Sequence, residues 1–175
     1  MTTPSPDRDA RWALVLGCSV GTGAGVARAL ARTAGLHVIG VHRANHPEAA
    51  AALVADVEAA DRRCVLIEAD AGLIDDIPGI ARQVEEILDG AQRGGLRVIV
   101  HSIANASVGY VVHPNPERQL HPKQVLKTFE SMAHSFLIWG QVVHGEGLIG
   151  PGAQLLAMMN YSDECTLWGG AASGA

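Results

Sequence analysis

An α/β fold with a parallel sheet of about five strands between two helical layers is what this sequence predicts. Three observations lead there. Short apolar runs alternate with longer stretches of helical periodicity, the pattern of strands joined by crossover helices. Four glycines, Gly17, Gly21, Gly23 and Gly25, cluster where the first such run gives way to the first helical stretch. Finally, 175 residues with 48% hydrophobic content and 20 glycines suit one domain with a sizeable core.

Residues 1–10 are polar and charged and are expected to be a flexible leader. Residues 13–16 (Ala-Leu-Val-Leu) form an apolar run of buried-strand type, and a helix rich in Ala, Leu and Arg is expected from Ala24 onward. A second strand spans 36–41 and ends in His42 and Arg43. An Ala-rich helix follows over 48–61, with Pro47 well placed at its start. Residues 63–69 make a third strand running into Asp70 and Ala71, and 77–88 a helix that stops near Gly90. The fourth strand, 96–101, leads into Ser102-Ile-Ala-Asn-Ala-Ser107. Pro114 and Pro116 mark 108–121 as a loop, and Pro122 opens a long amphipathic helix to about Val143. A turn over 147–152 precedes a fifth strand, 153–159. The domain thus covers 11–168, with 169–175 a flexible Gly/Ala tail.

Composition narrows the function. Aromatic residues are 4% of the chain, too few for base-stacking platforms, and the formal charge of −5 disfavours a phosphate-backbone partner, so no nucleic acid is expected. No apolar stretch is long enough to span a bilayer, and the leader lacks a signal-peptide core, so no membrane association is expected. Cys18, Cys64 and Cys165 form no C-x-x-C pair, and the histidines have no metal-ligand spacing, so neither a disulfide framework nor a metal is assigned. A cytoplasmic protein is the expectation.

The glycine cluster is where chemistry concentrates. Glycines between a strand and a helix allow a tight turn and close backbone approach to an anion, at which the helix points its free N–H groups. The stretch Gly17-Cys-Ser-Val-Gly-Thr-Gly23 therefore nominates Gly17, Ser19, Gly21, Thr22 and Gly23 for a nucleotide phosphate; the alternative is an ordinary structural turn. At the end of the second strand, where an acid would hold the ribose of NAD, stand His42 and Arg43. Arginine offers a planar fork suited to a 2′-phosphate, so NADP(H) is favoured over NAD(H), the alternative being an Arg on a solvated loop.

The Gly17-x-x-x-Gly21-x-Gly23 spacing resembles the glycine motif of the short-chain dehydrogenase/reductase family, with Leu16 replacing its leading Thr. The resemblance implies a Rossmann-type fold with strand order 3-2-1-4-5. It also implies that Asp70, with Ala71, contacts the adenine, although Asp70 also suits a cap on the next turn. Val100-His-Ser-Ile-Ala104 is similar to the corresponding stretch of bacterial enoyl-[acyl-carrier-protein] reductases, a divergent branch of that family. By that match Ser102, Ile103 and Ala104 pack against the cofactor, while His101 reads as a packed core histidine. Met132-Ala-His-Ser-Phe136 resembles the helix that borders the family's active site and builds its subunit interface. It makes Ser135 a candidate to face the cavity and the helix over 122–143 a route to self-association.

The family's Tyr-x-x-x-Lys pair is absent: the tyrosines are Tyr110 and Tyr161, the lysines Lys123 and Lys127, and no two have that spacing. By resemblance Tyr161 takes the place of the enoyl reductases' auxiliary tyrosine, and Ser162 that of a substrate-orienting serine. The expectation is a reductase of enoyl thioesters in fatty-acid metabolism with little or no turnover, the alternative a catalytically silent nucleotide-binding module or truncated remnant. The resemblance ends near residue 165, before the family's last strands. That leaves the fifth strand as an apolar sheet edge, for which marginal stability and aggregation are expected.

Overall fold

The computed structural model describes residues 11–88 and 94–159. The leader, the tail, Tyr161, Ser162 and Cys165 lie outside the described residues.

Five parallel strands form one sheet in the order β3-β2-β1-β4-β5, as predicted. They are β1 (Trp12–Leu16), β2 (His37–His42), β3 (Cys64–Glu68), β4 (Leu96–His101) and β5 (Ile149–Ala157). Between them run α1 (Gly21–Thr33), α2 (Pro47–Glu58), α3 (Ile77–Ile87) and a long helix of three parts: α4 (Pro122–Phe129), a π-helical segment (Glu130–His134) and α5 (Ser135–Gly145). Every side chain of β1 is buried, as its central place requires.

Strand residues point alternately to the two faces, and each face has its own core. Leu14, Leu16, Ile39, Val41 and Ile67 meet Ile80 and Val84 of α3 and Trp139 and Val143 of α5. Val15, Val38 and Val100 meet Ala27 and Ala31 of α1 and Leu53 and Val57 of α2. Each large apolar side chain fully buried this way contributes roughly 1.5–3 kcal/mol. Arg28 of α1 adds a charge-assisted hydrogen bond to Asp56 of α2 across the outer surface, Nε to Oδ2 at 2.6 Å.

Several boundaries depart from the sequence-based expectation. Helix α2, expected to reach Asp61, ends at Glu58, and Asp61 has the left-handed φ of +58°. Helix α1 begins at Gly21, not Ala24, because tertiary packing overrides the poor helix propensity of Gly21 and Gly23. The expected turn over 147–152 is already strand from Ile149: the register jumps from Leu96↔Ile149 to Val98↔Gln154, so Gly150, Pro151 and Gly152 bulge, and Arg97 Nη1 donates to Pro151 O at 2.9 Å. The strand then ends at Ala157, two residues before Met159. The helix over 122–143 is continuous but interrupted by the π segment. Among the described residues no helix is long and apolar enough to cross a membrane.

Candidate functional site

Because all five strands are parallel, the segments that leave their C-terminal ends gather along one edge of the sheet. The chain winds from β1 outward through β2 and β3 and then crosses to β4 on the other side of β1, so the order reverses between β1 and β4, and a crevice opens at such a point. Here it is a cleft of about 430 Å3, within the range of small-molecule sites. All twelve residues nominated for the cofactor line it: Gly17, Ser19, Gly21, Thr22 and Gly23 after β1, His42 and Arg43 after β2, Asp70 and Ala71 after β3, and Ser102, Ile103 and Ala104 after β4. Val20, Asn45 and His46 line it too and were not nominated. Val20 is 46% exposed, and its place inside the glycine motif could have drawn attention to it. Asn45 and His46 follow Arg43 directly, so reading on from Arg43 to the start of α2 would have found them.

The glycine floor is packed against bare backbone. Gly17 has φ +85°, and a Cβ there would overlap the carbonyl oxygen of Ser102. A Cβ on Gly23 would overlap the carbonyl of Gly17 and stand 3.2 Å from Ser102 Oγ. Backbone bonds fix the same arrangement: Gly17 N–H donates to Val41 O at 2.9 Å and Ser102 N–H to Leu16 O at 2.9 Å. Helix α1 starts with Val20 at its N-cap, no side chain bonded to its free amides, and no acidic residue in its first turn. Its positive end is therefore uncompensated and faces the cleft through Gly21, Thr22 and Gly23.

Under that floor lies Cys18, wholly buried and seated against Gly40 of β2, where any Cβ would overlap its Sγ. Burial, with the nearby Cys64 thiol adding to it, pushes Cys18 up to about 12.

The wall formed by β2 and β3 carries charge. Arg43 Nη1 stands 3.7 Å from Asp70 Oδ2, an ion pair that is half exposed on the arginine side. Asp70 Oδ1 accepts from Gly72 N–H at 2.9 Å, so Asp70 does cap the turn after β3. His42 Nδ1 lies 3.2 Å from Arg43 O; a carbonyl only accepts, so that nitrogen carries the proton.

The opposite wall is held by buried polar side chains on the long helix. Ser131 Oγ donates to Asn105 O at 3.0 Å, and Thr128 Oγ1 accepts from Ser107 N–H at 2.9 Å, tying down the segment after β4. Trp139 Nε1 donates to Ala71 O at 2.9 Å, tying down the segment after β3. Ser135, a candidate for the cavity, is instead fully buried: its hydroxyl donates to Ser131 O at 2.7 Å. With that proton committed, Ser135 Oγ accepts from Nε2 of His101, 2.8 Å away. Burial keeps His101 neutral, lowering it from 6.5 to about 4. The π segment matters here, because its extra residue per turn places Ser131 and Ser135 on the side facing β4.

Among the described residues no group of three His, Cys, Asp or Glu side chains is placed to hold a metal ion. The cleft suits an elongated anion: a close-packed glycine floor, an uncapped helix start and an arginine at one end.

No family model and no curated protein matches the sequence. Solved structures do match, and several of them are short-chain dehydrogenase/reductases. A mutant short-chain dehydrogenase/reductase of Serratia marcescens superposes with a TM-score of 0.74 at 20% identity, over 93% of this chain and 60% of that one. A short chain dehydrogenase of Burkholderia cenocepacia in complex with NADP gives 0.64 at 26% identity, over 78% and 50%. A 3-oxoacyl (acyl-carrier-protein) reductase of Agrobacterium tumefaciens with NADP bound gives 0.60 at 20% identity, over 79% and 47%. The matches thus span about half to three-fifths of those proteins' length.

Proposed function

We propose that this chain is the cofactor-binding part of an oxidoreductase of the short-chain dehydrogenase/reductase kind, taking NADP(H) in preference to NAD(H). The observation that carries the reading is the meeting of the uncapped α1 start and its glycine floor with Arg43 in one cleft. Its fit to a dinucleotide rests on the floor: Gly17 and Gly23 let the turn after β1, the start of α1 and the segment after β4 pack backbone to backbone beneath the cleft, and Gly21, with open space where its Cβ would stand, leaves the helix start bare. Gly21, Thr22 and Gly23 would hold the pyrophosphate on backbone N–H groups. Arg43 would hold a 2′-phosphate, Asp70 and Ala71 would border the adenine, and Ser102, Ile103 and Ala104 would border the ribose and nicotinamide. The NADP and NADPH complexes among the structural relatives support this cofactor.

The substrate we favour is an acyl thioester with a 2,3-double bond, on the likeness of Val100-His-Ser-Ile-Ala104 to enoyl reductases. When bound, the reduced nicotinamide supplies the hydride. Tyr161 would donate to the thioester oxygen and Ser162 would orient the substrate. The long helix from Pro122 would serve self-association, and free thiols such as Cys18 and Cys64 suit the cytoplasm.

A second reading, a catalytically silent nucleotide-binding module, is favoured by one observation: no Tyr-x-x-x-Lys pair exists in the 175 residues. A lysine in that pair lowers the phenol's pKa and grips the ribose, so its lack costs both affinity and turnover.

The test is fluorescence titration of the purified chain with NADPH and NADH, repeated with Arg43→Ala, followed by enoyl-thioester turnover. Binding of NADPH that Arg43→Ala selectively weakens supports the cofactor site. Turnover then separates reductase from silent module. A folded chain that binds neither nucleotide ends both readings.

A further inference from the structure

The ion pair on the cleft wall bears on which nicotinamide cofactor the site prefers, an inference that rests on the cofactor reading above. The charged and titratable groups lining that wall are Arg43, Asp70, His42 and His46. Asp70 is the one acid among them. Its carboxylate is fixed at one end, where Oδ1 accepts from Gly72 N–H at 2.9 Å, and its other oxygen is turned toward Arg43 Nη1, 3.7 Å away. That separation exceeds the ~2.7–2.9 Å of a charge-assisted hydrogen bond, so the pair is held by charge more than by shared-proton geometry. Arg43, with its side chain 49% exposed, is able to turn to a better acceptor. Asp70 has no such freedom.

We propose that Asp70 is a specificity residue whose carboxylate, paired with Arg43, opposes a 2′-phosphate and limits this chain's preference for NADP(H) over NAD(H). A phosphate taken by Arg43 lies within ionic reach of a carboxylate that cannot retreat, and the two like charges repel. It must also draw Arg43 from its present partner. A ribose with a free 2′-hydroxyl incurs neither cost. Sequence reading alone assigned Arg43 and Asp70 to separate tasks, on phosphate and adenine; their side chains sit close enough to make those tasks compete.

Asp70→Asn isolates the charge, because an asparagine Oδ1 still accepts from Gly72 N–H and the turn after β3 is kept. Titration of the intact chain and of Asp70→Asn with NADPH and NADH, alongside circular dichroism to verify folding, makes the test. Any change in Asp70's contact with the adenine falls on NADPH and NADH alike, so the quantity read is the ratio of their affinities. The variant is expected to shift that ratio about fivefold toward NADPH, the upper end of what a part-exposed ion pair is worth. The shift should shrink when ionic strength rises from about 0.05 to 0.5 M, where screening closes to a few ångströms.

An affinity ratio that is unchanged or moves toward NADH in a folded Asp70→Asn protein overturns the proposal. An equal shift for both nucleotides is one such result and marks a general adenine contact. These results leave the cofactor reading standing, whereas an unsubstituted, folded chain that binds neither nucleotide removes that reading and this proposal with it.

Discussion

Gly17, Gly23 and Gly25 share a motif but not a role. Alanine at Gly17 meets both a left-handed backbone and the Ser102 carbonyl, and alanine at Gly23 meets the Gly17 carbonyl. Each is expected to destabilise the protein by about 1–3 kcal/mol in urea denaturation. Gly25 is a helical residue with no atom within 4 Å of where its Cβ would sit, so Gly25→Ala should stabilise by about 0.5–1 kcal/mol. His101 yields a pH prediction. Its value falls from 6.5 in the unfolded chain to about 4 in the fold, so between those limits the unfolded state binds more protons. Stability is intact above pH 6.5 and is lost as pH drops toward 4, by about 3 kcal/mol from this residue. His101→Gln keeps a donor for Ser135 without titrating, and urea denaturation from pH 7 to 4.5 should show a flatter decline for it.

At the scale of elements, the sequence made some features legible and hid others. Strands were visible because apolar runs with Gly and Pro between them leave little choice of period. Ends were less so: the start of α1 depends on glycines packing against Ser102, and the bulge at Gly150 to Gly152 depends on Arg97 reaching Pro151. Neither contact is local in sequence. The π segment was hidden for a related reason, since it serves a hydrogen-bonded face toward β4 that periodicity of apolar residues does not record. Thr128 on that helix was not singled out, yet it holds the backbone of Ser107. Thr128→Val removes that acceptor and should cost about 1–2 kcal/mol. It should also weaken NADPH binding if the segment after β4 borders the cofactor, a change titration would detect apart from the loss of stability.

For the molecule as a whole, strand order and the edge on which the cleft opens followed from alternation and from one resemblance, because parallel strands send all their exits the same way. The pairing of Arg43 with Asp70 did not: the expected order sets β2 beside β3, but the rotamers that bring Arg43 Nη1 within 3.7 Å of Asp70 Oδ2 are not written in a one-dimensional reading. Ligand linkage supplies a global prediction. NADPH at a hundred times its Kd should stabilise the fold by about 2.7 kcal/mol, raising Tm by several degrees in a thermal scan. Strand β5 has β4 as its one described neighbour, and its Leu156 is 46% exposed. Light scattering of the purified chain should show self-association that Leu156→Lys reduces.

The seat of Cys18 against Gly40 makes the glycine loop readable by chemistry. A thiol raised to about 12 and shut from solvent does not meet an alkylating reagent in the closed fold. Modification at pH 8 must wait for the loop to lift, so its rate equals the intrinsic thiol rate multiplied by the open fraction. One native sulfur thus clocks the breathing of the cleft floor, and any molecule that settles on that floor should slow the clock in proportion to its occupancy.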